Sequence, residues 1–148
     1  MENCRDEVLV IFAGYEELMA QFIETNPGLS SRISREIKFL DYTIEQLIAI
    51  LELMINKRHY QLTDDCKTLL HQHFSEVVNC RNFGNARYVQ KLVNEIIFNQ
   101  AQRVIEGDKN QLEDDIFLNQ ITLTDIHKAI VAIEAKSSKA ISLIGFGR

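Results

Sequence analysis

A continuous apolar run, Val8-Leu9-Val10-Ile11-Phe12-Ala13, constrains the fold of this chain more than any other feature. Its mainly β-branched and aromatic residues stop at Gly14, which is typical of a β-strand buried on both faces, as in a parallel sheet. Such a strand needs cover on both faces and neighbours at both edges, because sheets of two strands are marginal in water. Either the remaining residues wrap this strand in an unusual way, or the chain is the tail of a larger α/β domain, which we favour.

The segment after this run predicts one helix and one further strand. Apolar residues recur at helical spacing over roughly residues 15–25. Asn26-Pro27-Gly28 should end that helix, because proline cannot continue the helical hydrogen bonds and disfavours helix at the residue before it. Residues 36–39 alternate between polar and apolar and predict a second short strand, which completes a βαβ unit.

From Asp41 onward the apolar pattern is helical throughout. Thr43-Ile44-Glu45-Gln46 has the form of a capping box, in which the threonine and glutamine side chains satisfy backbone donors at a helix start. Three further helices are predicted to begin at Thr63-Asp64-Asp65, near Gly84-Asn85 and at Thr122-Leu123-Thr124-Asp125. The expected fold class is therefore mainly α, with a βαβ remnant in residues 1–40, a four-helix lobe in residues 41–135 and a tail in residues 136–148.

Composition narrows the classes of partner. The 148 residues carry a net charge of −5 and no basic run of five or more, so nucleic acid and membrane surfaces are poor candidates. The three cysteines form no close pair, which favours a reducing compartment. The chain has no 18-residue apolar run, and its acidic start is not a signal peptide, so we expect a cytoplasmic protein.

Two kinds of catalytic or metal site are not predicted. No segment matches a phosphate-binding P-loop, and no apolar strand ends in the acidic pair that holds magnesium in such enzymes. His71 and His73 lie two positions apart, which places them about 200° apart around a helix, so they cannot share one ion. We expect one of them to point outward and the other to lie at the edge of the core.

Three arginines are candidates for anion binding. Arg32 and Arg35 follow the turn and precede the second strand, and strand ends in open α/β sheets are where ligands meet the protein. Arg87 falls in the first turn of the third helix, where exposed amides and a guanidinium together suit a phosphate. The residues alone leave the alternative open that all three are ordinary surface arginines.

The segments that contain these arginines resemble a known family. The similarity is carried by "VLVIFAGYEELMAQFIETNPGLSSRI", by "IKFLDYT" before a capped helix, by "FGNARYVQKLVNEI" and by the closing "IGFG". Together they look like the second half of an AAA+ ATPase module of the CbbX and stage V sporulation protein K type, over nearly all of residues 5–135. The resemblance implies the end of an AAA+ large α/β subdomain followed by a helical lid.

The resemblance also implies roles for individual residues. Arg32 would be the arginine finger that contacts the γ-phosphate of ATP in the neighbouring subunit, and Arg35 would be a second trans-acting arginine. Arg87 would be the second sensor, which with Gly84 and Asn85 contacts ATP bound by its own subunit. The first sensor, often asparagine in this family, is replaced here by Gly14-Tyr15, so Tyr15 is its stand-in.

The implied full-length protein is a homo-oligomeric ring, expected to be hexameric, that uses ATP and Mg²⁺ to remodel a protein partner, as in rubisco activation by CbbX-like members. This chain lacks the P-loop and the magnesium motif, so alone it is expected to hold neither ATP nor Mg²⁺ and to be inactive. The alternative is a stand-alone helical module without ATPase activity. It would bind a protein through its acidic surface, for which residues 108–115 are a candidate loop.

Overall fold

A computed structural model describes residues 9–80, 83–107 and 118–144, with side chains up to residue 136. The chain divides into two compact units, Met1–Leu40 and Asp41–Arg148, which we call the first and the second unit. The elements are α1 (Glu16–Thr25), α2 (Ile44–Asn56), β1 (Gln61–Leu62), α3 (Asp64–Val77), α4 (Ala86–Glu106), β2 (Gln120–Ile121) and α5 (Leu123–Ile144). Val8, the acidic segment 108–115 and the closing residues 145–148 lie outside the described residues. The predicted, mainly α fold class is confirmed.

Helix α1 ends where the sequence predicts. Thr25 is its last residue, and the side-chain amide of Asn26 donates to the carbonyl of Phe22 at 2.7 Å, which satisfies one of the last helical acceptors. Gly28 follows with φ +93°, a left-handed conformation that glycine adopts without steric cost. Proline and glycine therefore stop the helix and turn the chain toward Arg32.

The first unit differs from the predicted βαβ unit, because neither predicted strand forms. Residues 9–15 and 33–40 belong to no helix or strand, and most of the apolar side chains in them stay exposed, with Leu9 at 85% and Phe39 at 94%. A strand is stabilised by hydrogen bonds to a neighbouring strand and by burial of its faces. Neither segment forms strand hydrogen bonds with the other or with another described segment, and most of their apolar surface is not buried, so a strand is not stabilised here.

The second unit contains the hydrophobic core, formed by the four predicted helices. Its largest fully buried side chain is Phe74 on α3, which lies among buried leucines, isoleucines and valines from α2, α4 and α5. Helix α4 packs against both α2 and α5. The core residues are Leu47, Leu51, Ile55, Cys66, Leu70, Phe74, Val89, Leu92, Val93, Ile96, Ile121, Ile126, Ala129 and Ile133. The four predicted helices all form, and they contribute their predicted apolar residues to this core. The four-helix prediction is therefore confirmed.

Helix α2 is fixed at both of its ends. Thr43 Oγ1 accepts from the Gln46 amide at 3.3 Å, and Gln46 Oε1 accepts from the Thr43 amide at 3.0 Å, so the predicted capping box is present. At the other end, the Tyr60 amide donates to Ile55 O at 3.2 Å and the His59 amide to Asn56 O at 3.0 Å. This pair of bonds is a Schellman motif with His59 at φ +63° in the left-handed position.

Two features of the second unit were not predicted. Residues Gln61–Leu62 and Gln120–Ile121 pair as two parallel strands of two residues each, which is too short for an alternating pattern to be recognised. Helix α5 continues to Ile144, although residues 136–148 are predicted to form a tail. No glycine or proline interrupts Leu123–Ile144, so nothing in its sequence forces the helix to end earlier.

A buried ion pair joins α4 to the start of α5. The Asp125 side chain is 1% exposed and accepts from Arg103 Nε at 3.1 Å and from Arg103 Nη2 at 3.1 Å. The Thr122 amide and hydroxyl both donate to Asp125 Oδ2 at 2.9 Å, so the carboxylate also caps α5. Arg103 Nη2 further donates to the Gln120 carbonyl at 2.8 Å, which ties strand β2 to the same network.

Candidate functional site

The candidate residues of the first unit are all exposed. Arg32 Nη1 donates to the Gly28 carbonyl at 3.1 Å, so the guanidinium lies over the turn that precedes it. A Cβ built on Gly28 would lie 2.8 Å from that same Nη1, but the guanidinium is the exposed end of a flexible side chain, so it is the φ of +93° that favours glycine here. Arg35 is exposed on the next segment, and Tyr15, at 80% exposure, precedes α1 without a side-chain cap bond.

Arg87 lies at the exposed N-terminal end of α4. Its amide donates to the Gly84 carbonyl at 2.9 Å, which begins the first turn, and its side chain is exposed to solvent. The first turn of this 21-residue helix contains no acidic residue. The positive end of the helix dipole and the guanidinium therefore lie together without a carboxylate of that turn to neutralise them, which is an arrangement that suits an anion.

Asn85 precedes this helix in an unusual backbone conformation. Its φ is +49° and its ψ is −126°, a region that residues with a Cβ rarely adopt. Its side chain does not cap α4. Instead, its Nδ2 donates to Asp41 Oδ1 at 2.6 Å and its Oδ1 accepts from the Tyr42 amide at 3.1 Å. Asn85 thus connects the start of α4 with the segment immediately before α2.

Gly84, in contrast, is under no strict geometric demand. A Cβ at this position would lie 3.4 Å from the Tyr88 amide nitrogen and 3.8 Å from the Arg87 Cβ, which are ordinary contacts. Among the glycines in the part of the chain that the structure describes, the positive φ belongs to Gly28. The unusual conformation in the Gly84-Asn85-Ala86-Arg87 segment is therefore adopted by asparagine, which the sequence alone did not reveal.

Tyr88 anchors the start of α4 in the core. Its ring lies 5.1 Å from that of Phe83 and 6.4 Å from that of Phe74, and its hydroxyl lies 2.6 Å from Nε2 of His73. Burial raises the pKa of Tyr88 to about 12 and lowers the pKa of His73 below its usual value. Because these contacts hold Tyr88, they also fix the backbone of the neighbouring exposed residue, Arg87.

His71 and His73 lie as their spacing predicts. His73 is buried at 5% exposure and His71 is exposed, so they point to different sides of α3. Within residues 9–80, 83–107 and 118–144, no group of three or more His, Cys, Asp or Glu side chains is placed to hold a metal ion. Over the same residues, no helix is both long enough and apolar enough to span a bilayer.

Comparison with protein families bears directly on the second unit. The family model of the AAA lid domain matches residues 43–136, from the N-cap of α2 into α5. The chain belongs to the AAA lid domain family. Helices α2, α3 and α4 and most of α5 are thus the helices of an AAA lid, and Arg87 is an exposed residue of that lid.

Individual proteins give a consistent result. The chain is 42% identical over 107 residues to a CfxQ homolog of Trieres chinensis, which covers 72% of this chain and 37% of that protein. It is 33% identical over 126 residues to the chromosomal CbxX protein of Cupriavidus necator, which covers 85% of this chain and 39% of that protein. It is 36% identical over 104 residues to the chloroplastic ribulose bisphosphate carboxylase/oxygenase activase of Cyanidioschyzon merolae, covering 70% and 36%.

These similarities confirm the resemblance to a CbxX-type AAA+ module. The chain spans less than two fifths of the length of each of these three relatives. The AAA lid contains Gly84, Asn85 and Arg87, whereas Tyr15, Arg32 and Arg35 belong to the first unit. Their roles at a nucleotide stay predictions.

The sequence does not predict the roles of two residues of the second unit. It places Asp41 at the start of the helical lobe but does not indicate that its carboxylate accepts from Asn85. It places Tyr88 beside Arg87 but does not assign its hydroxyl the contact with His73. The signal for the second pair was present, because a histidine on the buried side of an amphipathic helix needs a polar partner. The first pair joins residues more than forty positions apart and left no local signal.

Proposed function

We propose that this chain is the C-terminal part of a ring-forming AAA+ ATPase in the cytoplasm, and that the intact protein couples ATP binding and hydrolysis to the remodelling of a protein partner. The observation that carries this proposal is the AAA lid itself. The lid family model covers α2 to α4 and most of α5. Within this lid, Arg87 is exposed in the first turn of α4.

Arg87 acts as the second sensor in this proposal. An exposed guanidinium beside the amides of a helix start offers charge-assisted donors to phosphate oxygens, and no carboxylate in that turn competes for them. Because Tyr88 anchors the same turn in the lid core, a contact between Arg87 and a nucleotide would be transmitted to the whole lid. Nucleotide state and lid position are thereby linked.

Arg32 acts in trans in this proposal. Its exposed guanidinium lies over the turn at Gly28, and in this role it stabilises the negative charge that develops on the transferred phosphoryl group of a neighbouring subunit. Arg35, three residues further along, contributes a second positive charge to the same face of the neighbour's nucleotide. ATP bound to the ring supplies the phosphoryl group. Since no metal-holding cluster occurs in the described part of the chain, we assign Mg²⁺ no ligand here.

The partner of the ring is a protein in this proposal. One relative is named as an activase of ribulose bisphosphate carboxylase/oxygenase. An activase of an enzyme acts on a protein, and this supports a protein as the partner. The net charge of −5 and the lack of a basic run in the sequence disfavour nucleic acid as the substrate.

The test compares two cations on the same helix of the intact protein in which this chain occurs. Arg87→Ala should weaken ATP binding or slow turnover by about tenfold or more, because it removes charge-assisted bonds to phosphate. Lys91→Ala removes the same charge one helical turn further along α4, also from an exposed position, and should have little effect. Equal ATP affinity and turnover in Arg87→Ala and the wild type would refute the sensor role.

A further inference from the structure

The side-chain amide of Asn85 makes two hydrogen bonds that no backbone pattern requires. Its Nδ2 donates to Asp41 Oδ1 at 2.6 Å and its Oδ1 accepts from the Tyr42 amide at 3.1 Å. Only a group with a donor and an acceptor side by side can make both contacts at once. Aspartate would bring a second carboxylate against Asp41, and alanine or glycine would offer neither atom.

The backbone conformation of Asn85 indicates that the surrounding contacts hold this residue in place. A φ of +49° with a ψ of −126° is unfavourable for any residue with a Cβ, and such conformations persist when the surroundings over-determine them. The residue stands at the N-cap position of α4, yet its side chain is turned away from the amides of that helix. The side-chain amide therefore bonds to the segment before α2 and does not cap its own helix.

The two segments that Asn85 joins have different positions in the architecture. Asp41 is the first residue of the second unit, and Tyr42 lies directly before Thr43, the N-cap of α2. On the other side, Asn85 is two residues from Arg87. One amide group thus spans the point where the chain enters the lid and the start of the helix that carries the sensor arginine.

We propose that Asn85 is a positioning residue that clamps the segment entering the lid to the N-terminus of α4, so that a displacement of Asp41 and Tyr42 displaces Arg87. The clamp rests on the proposed function in so far as Arg87 reads a nucleotide, but the mechanical link itself does not. In an intact ATPase, the clamp makes the conformation of the entering segment part of the sensor.

A donor–acceptor exchange tests the clamp in the chain itself. Asn85→Asp places two carboxylates against each other, so hydrogen exchange of the Tyr42 amide should become about tenfold faster. Combining it with Asp41→Asn restores a donor opposite an acceptor and leaves the introduced carboxylate to accept from Tyr42, so exchange should return to within about twofold of the wild type. Asn85→Gly suits the backbone conformation and removes the side chain, so it should keep the fold and still lose the protection.

A second measurement asks whether displacement is transmitted. Asp41→Ala should shift the backbone amide and side-chain Nε resonances of Arg87 in the NMR spectrum of the otherwise wild-type chain. The same change should leave them unmoved in an Asn85→Gly background, because the link is already gone. Wild-type exchange at Tyr42 in Asn85→Asp, or identical Arg87 shifts in both backgrounds, would overturn the clamp.

ATP turnover of the intact protein separates the clamp from the proposed function. Asn85→Asp should lower turnover, as Arg87→Ala does. Adding Asp41→Asn to Asn85→Asp should restore turnover, and this rescue would not occur if Asn85→Asp acted only by lowering stability. If Arg87→Ala leaves turnover unchanged, the sensor role fails. The hydrogen exchange of Tyr42 and the NMR shifts of Arg87 then still test the clamp. If Arg87→Ala lowers turnover but Asn85→Asp does not, the sensor role stands and the action of the entering segment on the sensor is refuted.

Discussion

The hydroxyl oxygen of Tyr88 on α4 lies 2.6 Å from Nε2 of His73 on α3. Because burial raises the pKa of Tyr88 to about 12, the phenol keeps its proton, and we assign it as the donor to a neutral imidazole. Burial also lowers the pKa of His73, while the negative charges of Glu134 and Glu76 act in the opposite direction. The pair thus places a titratable group beneath the first turn of α4.

We predict that His73 makes the lid less stable in mild acid. Its pKa is lower in the folded than in the unfolded chain, so as the pH falls below 6.5 the unfolded chain binds the proton first. The free energy of unfolding should therefore be fully retained above pH 6.5 and decrease as the pH falls toward the folded-state pKa. Urea denaturation of the chain between about pH 5 and pH 8 measures this dependence.

Two glutamine variants attribute the effect. His73→Gln removes the titrating group and keeps a hydrogen-bonding partner for Tyr88, so it should flatten the dependence on pH. His71→Gln changes the exposed histidine of the same helix and should retain the wild-type dependence. The prediction is wrong if both variants keep the same slope below pH 6.5.

A second prediction concerns the buried ion pair. Asp125→Asn should lower the free energy of unfolding by about 2 to 3 kcal/mol, because Arg103 would lose its countercharge while remaining mostly covered, with a 22% exposed side chain. Lys136→Gln breaks an ion pair with Glu95 in which the lysine is 68% exposed, and should cost no more than about 0.5 kcal/mol. Chemical denaturation of both variants measures the two costs, and equal values would contradict a special role for Asp125.

A third prediction concerns the end of α2. His59→Gly should stabilise the lid by about 0.5 to 1 kcal/mol, because His59 has φ +63° at a Schellman position that favours glycine. The same substitution at exposed His127, inside α5, should destabilise it by about 0.3 to 0.5 kcal/mol. Thermal melting of the two variants should thus give shifts of opposite sign. A loss of stability in His59→Gly would show that the left-handed position is not strained.

A fourth prediction concerns catalysis in trans. In the intact protein, Arg32→Ala should lower ATP hydrolysis by about a thousandfold while leaving ATP binding largely unchanged, as expected for a residue that stabilises the transition state. Mixing such subunits with subunits that cannot bind ATP but carry Arg32 should restore part of the turnover. Lys38→Ala, which removes a cation paired with Glu16 at 2.6 Å, is the matched control from the same unit. Full turnover in Arg32→Ala alone would exclude the finger.

Local signals in the sequence were sufficient to predict the helices. The capping box at Thr43, the stop at Asn26 and the apolar stripes of the four lid helices each depend on residues close together in the chain, and each recurs in the structure. The apolar run at residues 8–13 predicted a strand from burial, but a strand forms only with a neighbour, and no described segment pairs with it.

Contacts between distant residues explain what could not be predicted. The exposed position of Arg87 follows from its place at a helix start, whereas the link from Asn85 to Asp41 depends on how α2 and α4 pack. The same holds for Arg103 and Asp125, whose segments were both recognised as helical without any indication that they meet. The positive φ of Asn85 likewise arises from tertiary contacts, because asparagine does not demand it.

The short parallel pair between Gln61–Leu62 and Gln120–Ile121 has a consequence for the order of folding during synthesis. Residues on β1 leave the ribosome before α3 and α4 do, but their partner strand emerges only after both helices have been made. Helices α2, α3 and α4 can associate early through contacts that are near in sequence, while β2 and α5 must arrive last. Until then the α4 surface that α5 covers stays exposed, so the nascent lid depends on its final helix to become resistant to aggregation and proteolysis.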